Sequence, residues 1–375
     1  MKVSVSQQNL AHGLSIVSRA VASRSTLPVL SNVLLATDEG RLRLSATNLE
    51  MGITCWVGAK IEEEGSITIP SRTLTDLVNT LPNEILWLTL NPRSQSLEIK
   101  CTTTSSDIKG IDAQEFPPMP VPDLEAGVVL NVTDLKEMIQ QVVFAASTDE
   151  SRPVLMGAQL TINENEMTMA AADGFRISVK TTALSSAVPT PLSVIVPAKA
   201  LAELAKIAVD GEQTVTMTIP SGRGQVIFTL KDVELASQLI EGKFPDFHQI
   251  IPKNFKTRTV ISTSSLLKAC RQVEVFAREG SNVARLNLKP VGEDQISIVE
   301  MNAANEETGS SDVVLDATIE GIPLLIAFNV RFLREVLEVI KSPNVALETT
   351  AANTPGVIRP MGDDSYTHVI MPMHL

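Results

Sequence analysis

Apolar residues recur at two periods along this chain, and the periods alternate. Met1, Val3 and Val5 alternate with polar residues as in a half-buried strand, after which Leu10, Leu14, Val17 and Val21 recur every three to four residues, as on one face of a helix. Further on, Leu135, Met138, Ile139, Val142 and Val143 repeat the stripe behind Asn131-Val132-Thr133-Asp134, where Thr133 or Asp134 is the expected N-cap. Short alternating runs such as 41–44, 67–69 and 167–169 read as strands. The spacing predicts helices over 7–23, 71–81, 133–146, 198–208, 264–279 and 330–341, with Leu74, Leu77, Val78 and Leu81 as core-facing residues.

These elements belong to a longer repeat. Leu27-Pro28-Val29-Leu30 is matched by Arg152-Pro153-Val154-Leu155, and Ala46-Thr47-Asn48 by Ala171-Ala172-Asp173, both displaced by 125 residues. A strand-then-helix marker occurs three times: 67–70 before Leu74, 194–197 before Leu201, and 325–329 before Leu333. Leu10, Leu135 and Leu266 open each copy, and Glu115-Phe116-Pro117 and Lys243-Phe244-Pro245 close the first two. The expectation is an α+β chain of three similar domains, 1–126, 127–256 and 257–375, each with two helices packed on antiparallel sheets.

A length of 375 residues fits three domains at roughly 100–200 residues each. With 44% apolar and 20% charged residues the chain can fill such cores, which excludes disorder as its main state. The opening segment lacks the apolar run of a signal sequence, and no apolar run reaches the roughly 18 residues of a membrane helix. A soluble, cytoplasmic protein is expected. Cys55, Cys101 and Cys270 are an odd number without a CxxC pair, and His12, His248, His368 and His374 have no metal-ligand spacing. Neither a disulfide framework nor a metal or cofactor is expected.

Catalytic constellations are also missing. The chain has no GxxxxGK[ST], GxGxxG after a strand, HExxH or GxSxG motif. Ser221-Gly222-Arg223-Gly224 falls between two strand-like runs and reads as a hairpin turn. The acidic pairs at 62–64, 149–150, 306–307 and 363–364 read as solvated surface groups. No enzymatic activity is expected.

The net charge of −12 argues against a nucleic-acid partner until its distribution is considered. The predicted helices carry eleven basic residues against eight acidic ones, so the acidic excess lies in strands and loops. A surface lined by such helices attracts phosphate without reading bases. Two Trp and one Tyr are too few for a stacking platform on single strands.

Several motifs carry a family resemblance: 26–30 (ThrLeuProValLeu), 171–176 (Ala-Ala-Asp-Gly-Phe-Arg), 242–247 (Gly-Lys-Phe-Pro-Asp-Phe) and the ending Val369-Ile370-Met371-Pro372-Met373-His374-Leu375. With the triple repeat, they resemble the bacterial DNA polymerase III beta subunit, the replication sliding clamp, over essentially the whole chain. The resemblance implies a head-to-tail homodimeric ring with helices lining its hole, which encircles double-stranded DNA without sequence preference and confers processivity. It implies DNA contacts at Arg24, Arg72, Lys199, Lys206 and Arg271. It also implies a groove for short linear peptides of DNA polymerase and clamp-loader subunits, matched here by Leu155, Gly174, Phe175, Arg176, Ile177, Pro245, Ile250, Asn329, Phe332, Val369, Met371, Pro372 and Met373. The subunit joint is implied at Ser105, Asp107 and Lys109 of one subunit against Val275, Phe276, Glu306 and Glu307 of the other, with edge strand 105–109 set against the regions 275–276 and 301–308 so that edge pairing joins the sheets across subunits. Pro153-Val154 departs from an aromatic common in the family, and 148–151 is acidic where a second DNA-contacting loop would fall. The competing expectation is an acidic three-repeat interaction protein that does not encircle DNA.

Overall fold

The computed structural model describes residues 1–375 except 23, 103, 209–213, 221, 223, 279–280, 291–296 and 375. Ser221 and Arg223 of the expected turn, Glu279 at the end of a predicted helix, and Leu375 lie outside the described residues. Among those described are six α-helices: α1 Gln7–Val17, α2 Ser71–Thr80, α3 Val132–Val142, α4 Ala198–Ile207, α5 Thr263–Ala277 and α6 Val330–Val339. None is long and apolar enough to cross a membrane.

Two sequence expectations need correction. Helices predicted over 7–23 and 133–146 stop at Val17 and Val142, then tighten into single 3-10 turns over Ser18–Ala20 and Val143–Ala145. The apolar spacing continues through those turns, so periodicity alone does not register the change. The N-cap of α3 is Asn131, whose Oδ1 accepts the Thr133 N–H at 2.9 Å, rather than Thr133 or Asp134. Asp134 instead lies in the first turn, where its carboxylate complements the helix dipole.

The chain divides into two compact units. The first comprises Met1–Thr133 and Glu203–Leu239. A five-stranded antiparallel sheet runs in the order Ala59–Glu63, Lys2–Ser6, Ile85–Asn91, Ser96–Lys100 and Ser105–Lys109. An eight-stranded sheet joins strands of the first and second repeats where Val233–Ser237 pairs antiparallel with Met51–Cys55. Leu10, Leu14, Val17, Leu74 and Val78 are buried between helices and sheets. Gly13 permits this packing, because a Cβ there would stand 2.6 Å from Leu44 Cδ1 and 2.8 Å from Val57 Cγ1.

The second unit comprises Asp134–Ala202 and Ile240–Leu375 and holds a ten-stranded antiparallel sheet. Its longest strands, Gly157–Ala172 and Arg176–Pro197, form one hairpin. Arg176–Lys180 then pairs with Tyr366–Ile370, repeating 125 residues later the join made at Met51–Cys55. Leu266, Cys270 and Val273 of α5 and Leu333, Val336 and Leu337 of α6 fill the core beneath the sheet. The hairpin expected near 221–224 is flanked by the paired strands Thr214–Thr218 and Gln225–Thr229.

Candidate functional site

The tight loop between the long strands is the starting point. Asp173 Oδ1 accepts the N–H groups of Phe175 at 2.8 Å and Arg176 at 3.0 Å, and the loop turns through Gly174 at φ 94°. This conformation favours glycine. The loop closes against the last strand, where the Met371 N–H donates to the Phe175 carbonyl at 2.8 Å.

Beside it lies a cavity of about 260 Å³ lined by Leu155, Ala172, Gly174, Arg176, Ile177, Phe244, Pro245, Phe247, Ile250, Val369 and Met371. Its walls are almost wholly apolar, and Ile250 and Met371, which line it, are each 40% exposed. An exposed apolar cluster around a concave wall is a binding surface by default. Ala172, Phe244 and Phe247 were not singled out as lining residues, although Phe244 and Phe247 stand in the segment 242–247 that carries the resemblance.

Five expected groove residues do not line that cavity. Phe175 and Phe332 line a neighbouring one of about 360 Å³, together with Phe144, Arg152, Arg176 and Arg331. Asn329 caps α6 by accepting the Arg331 N–H at 3.0 Å. Met373 pairs its N–H with the Ala327 carbonyl at 2.8 Å, which fixes the chain on either side of Pro372. Val154 lies against Gly242, where a Cβ would meet Val154 Cγ2 at 2.6 Å.

Arg176 separates the two cavities. Its side chain is 7% exposed. Nε donates to Asp173 Oδ2 at 3.0 Å, Nη1 to Glu335 Oε2 at 2.5 Å, and Nη2 to the Phe144 carbonyl at 2.9 Å. The guanidinium also stacks between Phe332 and Phe144, at 4.3 and 5.3 Å from their centroids. Burial pushes the Glu335 carboxyl up, but hydrogen bonds from Arg331 and Arg176 outweigh it and hold the group below its ordinary value. The charge of Arg176 is thus spent on rigidity. Behind it, His368 is fully buried against Phe144, with burial and the Arg176 charge pushing it down to about 3, so it is neutral at physiological pH.

The expected DNA residues fall into two groups. Arg72 lies 3.7 Å from Asp76, Lys206 2.8 Å from Glu203 and Arg271 3.1 Å from Glu338, so each is already ion-paired. Arg24 and Lys199 are exposed, with no ion pair among the described residues. Lys268 on α5, not singled out from the sequence, shares that condition.

Strand Ser105–Lys109 is an edge of the five-stranded sheet. Asp107 and Lys109 lie 3.6 Å apart on it, and Ser105 Oγ donates to Glu98 at 3.3 Å. Val275 is 59% exposed on α5. The Phe276 ring lies 3.8 Å from where a Cβ of Gly309 would stand, and the turn carrying Glu306 and Glu307 is held by Asn305 Oδ1, which accepts the Glu307 N–H at 2.8 Å. Leading into the region 301–308 expected at the joint, Ile298–Asn302 is flanked by Arg285–Lys289 on one side and by strand Gly309–Gly321 on the other. Pairing with Arg285–Lys289 stops at Asn302, so a further strand has room only beyond it. Asp363 also departs from expectation: Lys180 Nζ, on a side chain 9% exposed, donates to it at 2.9 Å.

The fold defines a protein of tandem α+β repeats with an apolar cavity open at its surface. Models of the N-terminal, central and C-terminal domains of the DNA polymerase III beta subunit match residues 1–120, 129–246 and 248–374. The chain belongs to the DNA polymerase III beta subunit family. It is 34% identical to the beta sliding clamp of Synechococcus elongatus over the full length of both chains, and 31% identical to that of Staphylococcus aureus over 100% of this chain and 99% of the relative. Its fold superposes on the DNA polymerase sliding clamp of Bacillus subtilis with a TM-score of 0.94 at 27% identity, covering 100% of this chain and 99% of that one. The Thermotoga maritima beta subunit gives a TM-score of 0.90 at 27% identity, with the same coverage.

Proposed function

We propose that two copies of this chain close head to tail into a non-catalytic ring around duplex DNA in the bacterial cytoplasm, and that the groove beside Gly174 tethers polymerase and clamp-loader subunits by short peptides. The observation that carries the reading is the ordered match of all three beta-subunit domains along the chain. A ring slides when its grip on phosphate is weak and indifferent to sequence. Of the expected contacts, Arg72, Lys206 and Arg271 are ion-paired, and Arg24 and Lys199, joined by Lys268, are exposed cations, with no ion pair among the described residues, that can supply that grip. Processivity then comes from topological linkage rather than affinity.

After loading, the protein is expected to stay on closed circular plasmid and to run off the same plasmid once linearised. Equal loss from both would remove the ring and leave the acidic three-repeat interaction protein. At the joint, Val275 and Phe276 supply apolar burial and the edge Ser105–Lys109 supplies free backbone groups. The wild-type solution mass is expected near twice 40.4 kDa. Val275→Glu combined with Phe276→Ala is expected to shift it toward the monomer, and an unchanged dimer mass would move the joint elsewhere.

A further inference from the structure

A third cavity, of about 180 Å³, lies in the first unit, and the internal repeat relates it to the groove residue by residue. Asn48 Oδ1 accepts the N–H groups of Glu50 at 3.0 Å and Met51 at 2.8 Å, as Asp173 does for Phe175 and Arg176. The Gln238 N–H donates to the Glu50 carbonyl at 2.8 Å, as Met371 does to Phe175. Ala236 stands opposite Gly52 as Val369 stands opposite Ile177. The linker beginning at Pro117 forms the remaining wall, as the segment from Pro245 does in the groove.

With the backbone frame preserved, the side chains differ systematically. Gly174, Phe175, Arg176 and Ile177 are replaced by Leu49, Glu50, Met51 and Gly52, and Met371 by Gln238. Among the described residues Glu50 is the one charged group lining this cavity, and Gln225, Ser237 and Gln238 line it with polar groups. Leu49 holds the position of Gly174 at φ 76° and is 51% exposed. A bulky residue kept left-handed with its side chain in water adds strain without adding core. Met119 arches over Gly52, where a Cβ would lie 2.5 Å from its Cε, so an adaptable thioether forms one wall.

We infer that this cleft is a second docking site, taking an extended peptide that places one compact apolar side chain against Met51 and Met119 and a basic side chain against Glu50. A cavity near 150 Å³ accepts a benzene-sized group, so the space suits one such anchor. The acidic lining selects a cation, unlike the almost wholly apolar groove. The inference rests on the reading of the groove as a peptide site.

The test uses the full chain with methyl-labelled methionines and two acetylated, amidated hexapeptides, Ala-Lys-Leu-Pro-Lys-Ala and its analogue with glutamate for lysine. The lysine peptide is expected to shift the Met51 and Met119 methyl signals progressively, and the glutamate peptide to leave them in place. Glu50→Lys, an exposed change, is expected to reverse that preference. Unmoved Met51 and Met119 signals at millimolar lysine peptide, equal shifts with both peptides, or indifference to Glu50→Lys would each overturn the proposal. A chain lacking residues 371–375 must retain the shifts, since their loss would assign them to the groove. Failure of the groove reading shows separately, in the Met371 signal with a polymerase-derived peptide.

Discussion

Replacing Arg176 with alanine is expected to lower the unfolding free energy of the second unit by about 3–5 kcal/mol, the range for removing one partner of a buried ion pair. The cost arises from what remains. Asp173, 14% exposed, loses its cation, Glu335, 18% exposed, keeps Arg331 at 2.7 Å, the Phe144 carbonyl loses a donor, and two rings lose the guanidinium beside them. Arg176→Lys keeps the charge but not the three-way fork, so its loss should be intermediate. Urea unfolding followed by circular dichroism measures both, and a deficit under about 1 kcal/mol for the alanine variant would place these carboxylates in surface-like solvation. The pH dependence has a definite sign. The folded Glu335 carboxyl titrates below its unfolded value, so the ionised pair stabilises fully above the unfolded carboxylate range near 4.3 and fades as pH falls through the folded value. The alanine variant should lose the share of that acid sensitivity that Arg176 supplies and keep the share from Arg331.

Beyond the Asp173–Arg176 pair, three residues apart, this network was not legible in the sequence, for a reason of distance. Glu335 is 159 residues from Arg176, and Asp363, read as a solvated acid, meets Lys180 across 183. Periodicity reports which face of an element is buried, not which distant charge meets it. The helices were legible because each buries one stripe, and their overlong ends followed from stripes that persist into 3-10 turns. At α3, the run 131–134 offers three capping side chains in four residues, and only the backbone shows that Asn131 caps. The match of Thr47-Asn48 to Ala172-Asp173 places two equivalent loops in the chain, and each forms the lip of a cavity.

Removing residues 371–375 is expected to abolish peptide binding at the groove while leaving the solution mass of the assembly unchanged. Met371 acts twice. Its side chain forms a wall of the cavity, and its N–H ties the last strand to the Phe175 carbonyl. The truncation therefore opens the wall and releases the loop that presents Phe175. Loss of one central anchor costs about 2–4 kcal/mol, a thirtyfold to thousandfold fall in affinity, and releasing the loop adds an ordering cost on binding. Met371→Ala isolates the side chain, because the backbone hydrogen bond survives, and should give the smaller loss. Ile250→Ala, on the opposite lip and 40% exposed, should weaken binding without unfolding the chain. Titration of a fluorescein-labelled polymerase-derived peptide orders the three variants. Undiminished affinity in the truncated chain would move the tether to another surface, because no peptide could rest on a wall that is gone and bind as before.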